Sequence, residues 1–208
     1  MLKVKICGIT NYDDALSATN LGADYIGFQL IKDSPKKVSD KMLKDVNEKL
    51  PPFVIAVGIF ADSDQKTISK IVKKTGIKAV QLNGQETPEF CKALSVALGV
   101  KVLKYMKFTT VEELAQLQAY VGNVDYFVLD ISSTDENGKV SIVTDNLSTL
   151  ENIPVPCFIT GGISSENVEE IVEKYKPYAV EADTSIERLQ RRKDFDKMAN
   201  FIKSAHSL

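Results

Sequence analysis

Among the residues at the ends of predicted strands, two could move protons near neutral pH in the right surroundings: Cys7 and Asp130 of this 208-residue chain. Cys7 closes "KVKIC", where Val4 and Ile6 alternate as on a half-buried strand, and Gly8 follows it. A thiol there is either a small core filler or a reactive group held up to a ligand. Its ordinary pKa is about 8.5, so only a few per cent is thiolate at neutral pH; a nearby lysine or helix N-terminus would raise that fraction. Asp130 ends the apolar run "DYFVLD". Partial burial would raise its pKa and fit it for general-acid work; the alternative is a helix N-cap. A third signal is "TGGIS", 160–164. Gly161 and Gly162 lie between a strand and a helix start, where bare N–H groups can hold a phosphate or simply make a tight turn. Cys91, in a predicted helix, and Cys157, in "PCFITGG", read as packing.

The elements that must position these groups repeat along the chain. Strand-like runs fall near 3–7, 24–30, 53–60, 78–83, 100–105, 125–131, 155–160 and 178–182. Runs such as "FVIAVGIF" are continuously apolar, as on strands covered on both faces. Helix-period segments lie between them. "DQKTISKIVKKTG" puts Ile68, Ile71 and Val72 on one face and stops at Gly76. "VEELAQLQAYVG" does the same with Leu114, Leu117 and Val121, stopping at Gly122. "SSENVEEIVEKY" predicts a helix capped by Ser164 or Ser165 that buries Val168, Ile171 and Val172. Asn11 and the residues after it could cap a first helix.

Eight such repeats call for a parallel sheet. An open doubly wound sheet would have fewer strands in this length, so the expectation is α/β, a (β/α)8 TIM barrel, as one domain over 1–208. Sites in such barrels form at the carboxyl ends of the strands. Those ends carry Cys7 and Gly8, Gln29 and the loop to Lys36, Asp62, Gln81 and Asn83, Tyr105 and Lys107, Asp130, Gly161 and Gly162, and Glu181 to Ser185.

Composition narrows the partners. Net charge is −2 and the pI about 5.6, without the basic excess of a nucleic-acid surface. No apolar run approaches the roughly 20 residues that span a bilayer. "MLKVKIC" is too short and too alternating for a signal peptide. Three cysteines without metal-like spacing suit a reduced, cytoplasmic setting, and the one histidine, His206, argues against a histidine triad or zinc site.

Read in order, "KVKICGIT", "LGADYIGF", "SPKKVS", "VGIFAD", "VQLNGQE", "YFVLD", "ITGGIS" and "RKDFDKMANFI" resemble the phosphoribosylanthranilate isomerase family of tryptophan biosynthesis, over essentially the whole chain. The resemblance implies a cofactor-free Amadori rearrangement of N-(5-phosphoribosyl)anthranilate to 1-(2-carboxyphenylamino)-1-deoxyribulose 5-phosphate. It puts the family's general base on Cys7 and its general acid on Asp130, and substrate contacts on Lys36, Gln81, Asn83, Gly161, Gly162, Thr184 and Ser185. It implies a small phosphorylated amino-sugar as substrate, no nucleic acid, no membrane, and a monomer or homodimer. Rival readings are a related barrel enzyme for another phosphorylated sugar and a non-catalytic barrel that binds a phosphorylated ligand.

The chain departs from the family pattern in four places. Lys36 stands where the family has an arginine that meets the anthranilate carboxylate, and so lacks the bidentate fork. Asn83 replaces a histidine and cannot titrate. The loop "SSTDENGKVSIVTD" has one glycine, Gly138. The family's D-V-S-S-G-V-E becomes Glu181-Ala182-Asp183-Thr184-Ser185-Ile186-Glu187. A carboxylate at 183 about 4 Å from a phosphate would cost roughly 4 kcal/mol at an effective dielectric of 20, against about 1–2 kcal/mol from a helix N-terminus. Asp183 is therefore expected either to turn away, toward Arg188, Arg191 or Arg192, or to weaken phosphate binding.

Overall fold

The apolar runs form eight parallel strands in the computed structural model, which describes residues 2–134, 140–143 and 153–207. They are β1 Lys3–Ile6, β2 Tyr25–Gln29, β3 Ile55–Phe60, β4 Ala79–Leu82, β5 Lys101–Lys107, β6 Tyr126–Asp130, β7 Cys157–Thr160 and β8 Ala179–Ala182. Each pairs with its neighbours in sequence, and β1 pairs with β8, so the sheet closes into a barrel. Outside it lie α1 Tyr12–Asn20, α2 Asp40–Asn47, α3 Gln65–Thr75, α4 Pro88–Leu98, α5 Leu114–Tyr120, α6 Val168–Tyr175 and α7 Phe195–His206. After β6 the described residues form a hairpin of Ser132–Thr134 with Val140–Ile142. Gly138 and the rest of that loop lie outside the described residues.

The helix signals mark the observed ends. Asn11 accepts the N–H of Asp14 and starts α1, and Gly76 closes α3 in the left-handed region. Ile68, Val72, Leu117, Val168, Ile171 and Val172 are buried as their spacing requires; the Leu114 side chain lies outside the described residues. The start of α6 needs correcting. Neither Ser164 nor Ser165 caps it, because Ser164 is held in a turn: its N–H donates to Asn167 Oδ1, and its hydroxyl accepts from Glu166. The helix begins only at Val168.

The strands have two covered faces. Val4 and Ile6 join the apolar layer beneath the helices, whereas Lys5 and Cys7 turn into the barrel. The alternation of β1 suggested one wet face; instead Lys5 has no exposed surface, because the polar side of this strand is the barrel interior. At the amino-terminal end the interior is closed by Tyr25, Tyr126, Phe158 and Tyr178, whose ring centroids lie 5.1–5.6 Å apart. Val57, Ala79, Leu103 and Val128 fill the space around them. The carboxyl-terminal end is polar. The aromatic plug therefore makes this a one-mouthed barrel, with Phe158 at its centre.

Truncating Phe158→Ala removes the ring that three tyrosines pack against. Urea unfolding should show a loss of about 3–5 kcal/mol, as for a large aromatic in a close-packed core. A loss below about 1 kcal/mol would mean that the plug collapses freely.

Candidate active site

The carboxyl ends of the strands surround a cavity of about 210 Å³. Cys7, Gln81, Asn83, Asp130, Gly161, Gly162, Thr184 and Ser185, from five strand ends implied by the sequence, all line it. Asp183 and Tyr105 line it too. A wider hollow of about 520 Å³ adjoins it beside α4 and α5, sharing Asn83 and Tyr105, but the two proton-transfer candidates face the smaller space. Asp62 does not contribute. It ties two loops together, accepting the N–H of Gln85 and donating its own to Glu86.

Asp130 is held by a full set of donors. Ser132 gives its N–H at 2.9 Å and its hydroxyl at 2.6 Å to Oδ1. Tyr105 donates its hydroxyl to Oδ2 at 2.5 Å, and the Lys107 ammonium lies 3.2 Å from the same oxygen. Burial alone would raise its pKa, but Ser132, Tyr105 and Lys107 outweigh burial and hold it below the ordinary value of 3.8. The expected upward shift is thus reversed. Gly161 makes this arrangement possible: its φ is +94°, and a Cβ would sit 2.0 Å from Asp130 Oδ1. The bare backbone of "TGGIS" thus also serves a steric purpose that the sequence reading did not include.

Cys7 is buried at the other wall. Burial pushes its thiol well above 9.0; Glu181 and Asp183 add to this, and Lys5 and Lys193 oppose it. The thiolate enrichment that a nearby lysine would provide does not occur, because each lysine is already paired. Lys5 lies 2.6 Å from Glu181 Oε2 and donates to Gln81 Oε1 as well. Gln81 passes a hydrogen bond on to Asn83 at 3.0 Å.

Asp183 settles the question left by the last loop. It reaches none of the three arginines proposed for it. Its Oδ1 accepts from Lys36 at 2.7 Å and from Lys193 at 2.8 Å. Glu187 completes the cluster, 2.9 Å from Lys36 and 3.4 Å from Lys193. Arg191 instead donates to the carbonyls of Pro35 and Lys37. Lys36, expected to face the ligand, lies behind Asp183 and does not line the cavity. Ser185 donates its hydroxyl to the Ile163 carbonyl at 2.6 Å, joining the loops after β7 and β8.

Three contributors escaped the sequence reading. Lys5 looked like the solvent face of a strand; its register opposite Glu181 was the available signal. Ser132 lies in a loop without a motif. Lys193 is one cation in "RRKD", and nothing local separates it from its neighbours.

Burial would raise the Asp183 carboxyl, but Lys193 and Lys36 hold it below 3.8. A depressed carboxylate contributes stability above its unfolded pKa of about 3.9 and loses it as pH falls through the native value. Wild-type unfolding free energy should therefore decline below about pH 4, and Asp183→Asn should decline less over the same interval. Parallel acid limbs in the two proteins would contradict the pairing.

The family model and the curated relatives point to one family. N-(5'phosphoribosyl)anthranilate (PRA) isomerase matches residues 4–204. The N-(5'-phosphoribosyl)anthranilate isomerase of Geobacter metallireducens is 33% identical over 206 residues, 99% of each chain. That of Gloeothece citriformis is 30% identical over 207 residues, 99% of this chain and 94% of the relative. The crystal structure of phosphoribosyl anthranilate isomerase from Thermotoga maritima superposes with a TM-score of 0.89 at 30% identity, covering both chains fully. A phosphoribosyl anthranilate isomerase solved with reduced 1-(o-carboxyphenylamino)-1-deoxyribulose 5-phosphate superposes at 0.87 and 28% identity, again over the whole of both chains. Matched from Val4 to Ser204, and with the same closed barrel throughout, this chain belongs to the PRA isomerase family.

Proposed function

We propose that this chain converts N-(5-phosphoribosyl)anthranilate to 1-(2-carboxyphenylamino)-1-deoxyribulose 5-phosphate in tryptophan biosynthesis. The observation that carries this reading is that Cys7 and Asp130 line one cavity from strands three places apart in the barrel, beside the glycines of "TGGIS". Two groups so placed reach one sugar from different sides. Asp130 delivers a proton to the ribose ring oxygen, and the ring opens to a Schiff base. Cys7 takes the proton from the adjacent sugar carbon, and the enolamine then tautomerises to the aminoketose. The backbone at Gly161, Gly162, Thr184 and Ser185 takes the phosphate, and Gln81 and Asn83 contact the substrate. Lys36 lies beside this cavity, paired to Asp183 and Glu187. No cofactor enters this chemistry. The cavity is built from one chain, so a monomer or a homodimer suffices. Three free cysteines, and no helix among the described residues long and apolar enough to cross a membrane, go with a cytoplasmic setting.

The protonation states need one further step. The thiol of Cys7 holds its proton and Asp130 lacks one. The working pair, thiolate and carboxylic acid, carries the same total number of protons. It forms by moving one proton between the two groups, at the cost of a small working fraction. Because both arrangements have equal charge, pH does not change their ratio.

Conversion can be followed by the loss of substrate fluorescence. Cys7→Ser and Asp130→Asn should each lower kcat/KM by about 10²–10⁴-fold while the fold is kept. A folded wild type silent at millimolar substrate would overturn the isomerase reading. The kcat/KM profile should be level from about pH 5 to pH 8, with acid and alkaline limbs outside that range. A limb centred between them would contradict the assigned pair.

A further inference from the structure

The Asp130 carboxylate has every acceptor position filled. A carboxylate offers about four such positions. Ser132 takes two on Oδ1, with its N–H at 2.9 Å and its hydroxyl at 2.6 Å. Tyr105 and Lys107 reach Oδ2, at 2.5 and 3.2 Å. A proton on Asp130 must therefore displace a donor. Oδ1 lies against the Gly161 backbone and is held by a fixed N–H, so Oδ2 is the oxygen that takes the proton. The Lys107 side chain is half exposed and keeps two other bonds, both to Ser132, when it withdraws. Tyr105 cannot withdraw, because its ring packs on the apolar layer inside the barrel. It can only turn its hydroxyl. A phenol both donates and accepts, so once Oδ2 is protonated Tyr105 accepts from it. Its own O–H is then released toward the cavity that it lines. Burial, and then the Asp130 carboxylate, push this hydroxyl well above its ordinary pKa, so Tyr105 keeps its proton until another replaces it.

We propose that Tyr105 is a catalytic residue that relays the acid's proton: its hydroxyl, rather than the Asp130 carboxyl, meets the ring oxygen of the sugar. The inference rests on the isomerase reading and deepens it; in the simplest form of that reading Asp130 touches the sugar itself. The Tyr105 O–H bond breaks as an O–H bond forms on the ring oxygen. The bond from that oxygen to C1 breaks, and its electron pair stays on the oxygen. The lone pair of the amine nitrogen closes the C=N bond, and the positive charge ends on the Schiff-base nitrogen. In the same step the Asp130 proton passes to the Tyr105 oxygen. Asp130 ends as a carboxylate, Tyr105 ends as it began, and no tyrosinate forms.

Turnover is followed for wild type, Tyr105→Phe, Ser132→Ala, Asp130→Asn and Tyr105→Phe combined with Asp130→Asn, with thermal unfolding as the check on each fold. Tyr105→Phe should lower kcat about 10²-fold or more, with KM changed less than about threefold. Ser132→Ala also takes a donor from Asp130, but one that passes on no proton, and should cost less than about tenfold. The combined variant should be no slower than Asp130→Asn alone, since both substitutions cut one chain. A crystal structure of Tyr105→Phe should show Asp130 still bound to Ser132 and Lys107. A loss below about tenfold in Tyr105→Phe, a loss no larger than that of Ser132→Ala, or additive losses in the combined variant would overturn the relay. So would an Asp130 that has left Ser132 in that crystal structure, which would assign the loss to position. If Tyr105→Phe folds poorly, wild type bound to reduced 1-(o-carboxyphenylamino)-1-deoxyribulose 5-phosphate decides. The C4 hydroxyl of that compound carries the former ring oxygen. It should lie within hydrogen-bond distance of Tyr105 Oη and beyond that distance from Asp130. Contact with Asp130 and none with Tyr105 would overturn the relay. If folded wild type is silent at millimolar substrate, the isomerase reading falls, and the relay with it. An active wild type beside an equally active Tyr105→Phe removes the relay alone.

Discussion

A lysine with no exposed surface must be paired, and Lys5 sets the terms for the whole mouth of this barrel. It points inward from β1 and meets Glu181 on β8, its partner in register across the seam that closes the sheet. Gln81 takes a second bond from β4, on another wall. Removing one member of such a buried pair leaves a charge without compensation, at a cost of about 3–5 kcal/mol. The pair thus joins three strands and forms the floor of the cavity. Cys7 sits two residues further along the same strand, and it feels the Glu181 carboxylate more strongly than the lysine. The high pKa of the thiol follows from burial and from this floor.

The same rule repeats around the rim. Asp130, Glu181 and Asp183 each hold a strong donor or a cation, and Lys36, Lys104 and Lys193 each hold a carboxylate. Such satisfied networks are rigid, because every rotation breaks a charge-assisted bond in a region of low dielectric. They give catalytic groups fixed positions before a substrate arrives. They also leave few unengaged cations, and that bears on a polyanionic substrate. The bare backbone at Gly8 and Gly161 belongs to this design: each glycine lets a carboxylate come closer than a Cβ would allow.

The barrel was legible because its signals are local. Short apolar runs, glycine caps such as Gly76 and one repeating unit were enough to name the closed sheet. Much of what escaped was non-local, and the rest lay in short turns without a motif. Lys5 occupies an alternating position that reads as solvent-facing, and only closure turns that face inward. Ser164 has the chemistry of a cap, but Asn167, three residues on, holds it in a turn. In the site, residue types placed Cys7, Asp130 and the two glycines at one cavity, because strand ends in a barrel converge. Their protonation was read in the wrong direction. Ser132 is only two residues from Asp130 but lies in a loop without a motif, while Tyr105 and the partners of the nearby lysines belong to other segments. Of the partners of Asp183, Lys36 lies 147 residues away in sequence, whereas Lys193 is ten away and has nothing local to distinguish it from the arginines beside it.

The most direct measurement is a crystal structure of this chain with reduced 1-(o-carboxyphenylamino)-1-deoxyribulose 5-phosphate. The expected complex has the sugar between Cys7 and Asp130 and the phosphate on the backbone of Gly161 and Gly162. A ligand bound outside this cavity would contradict the assignment of the site.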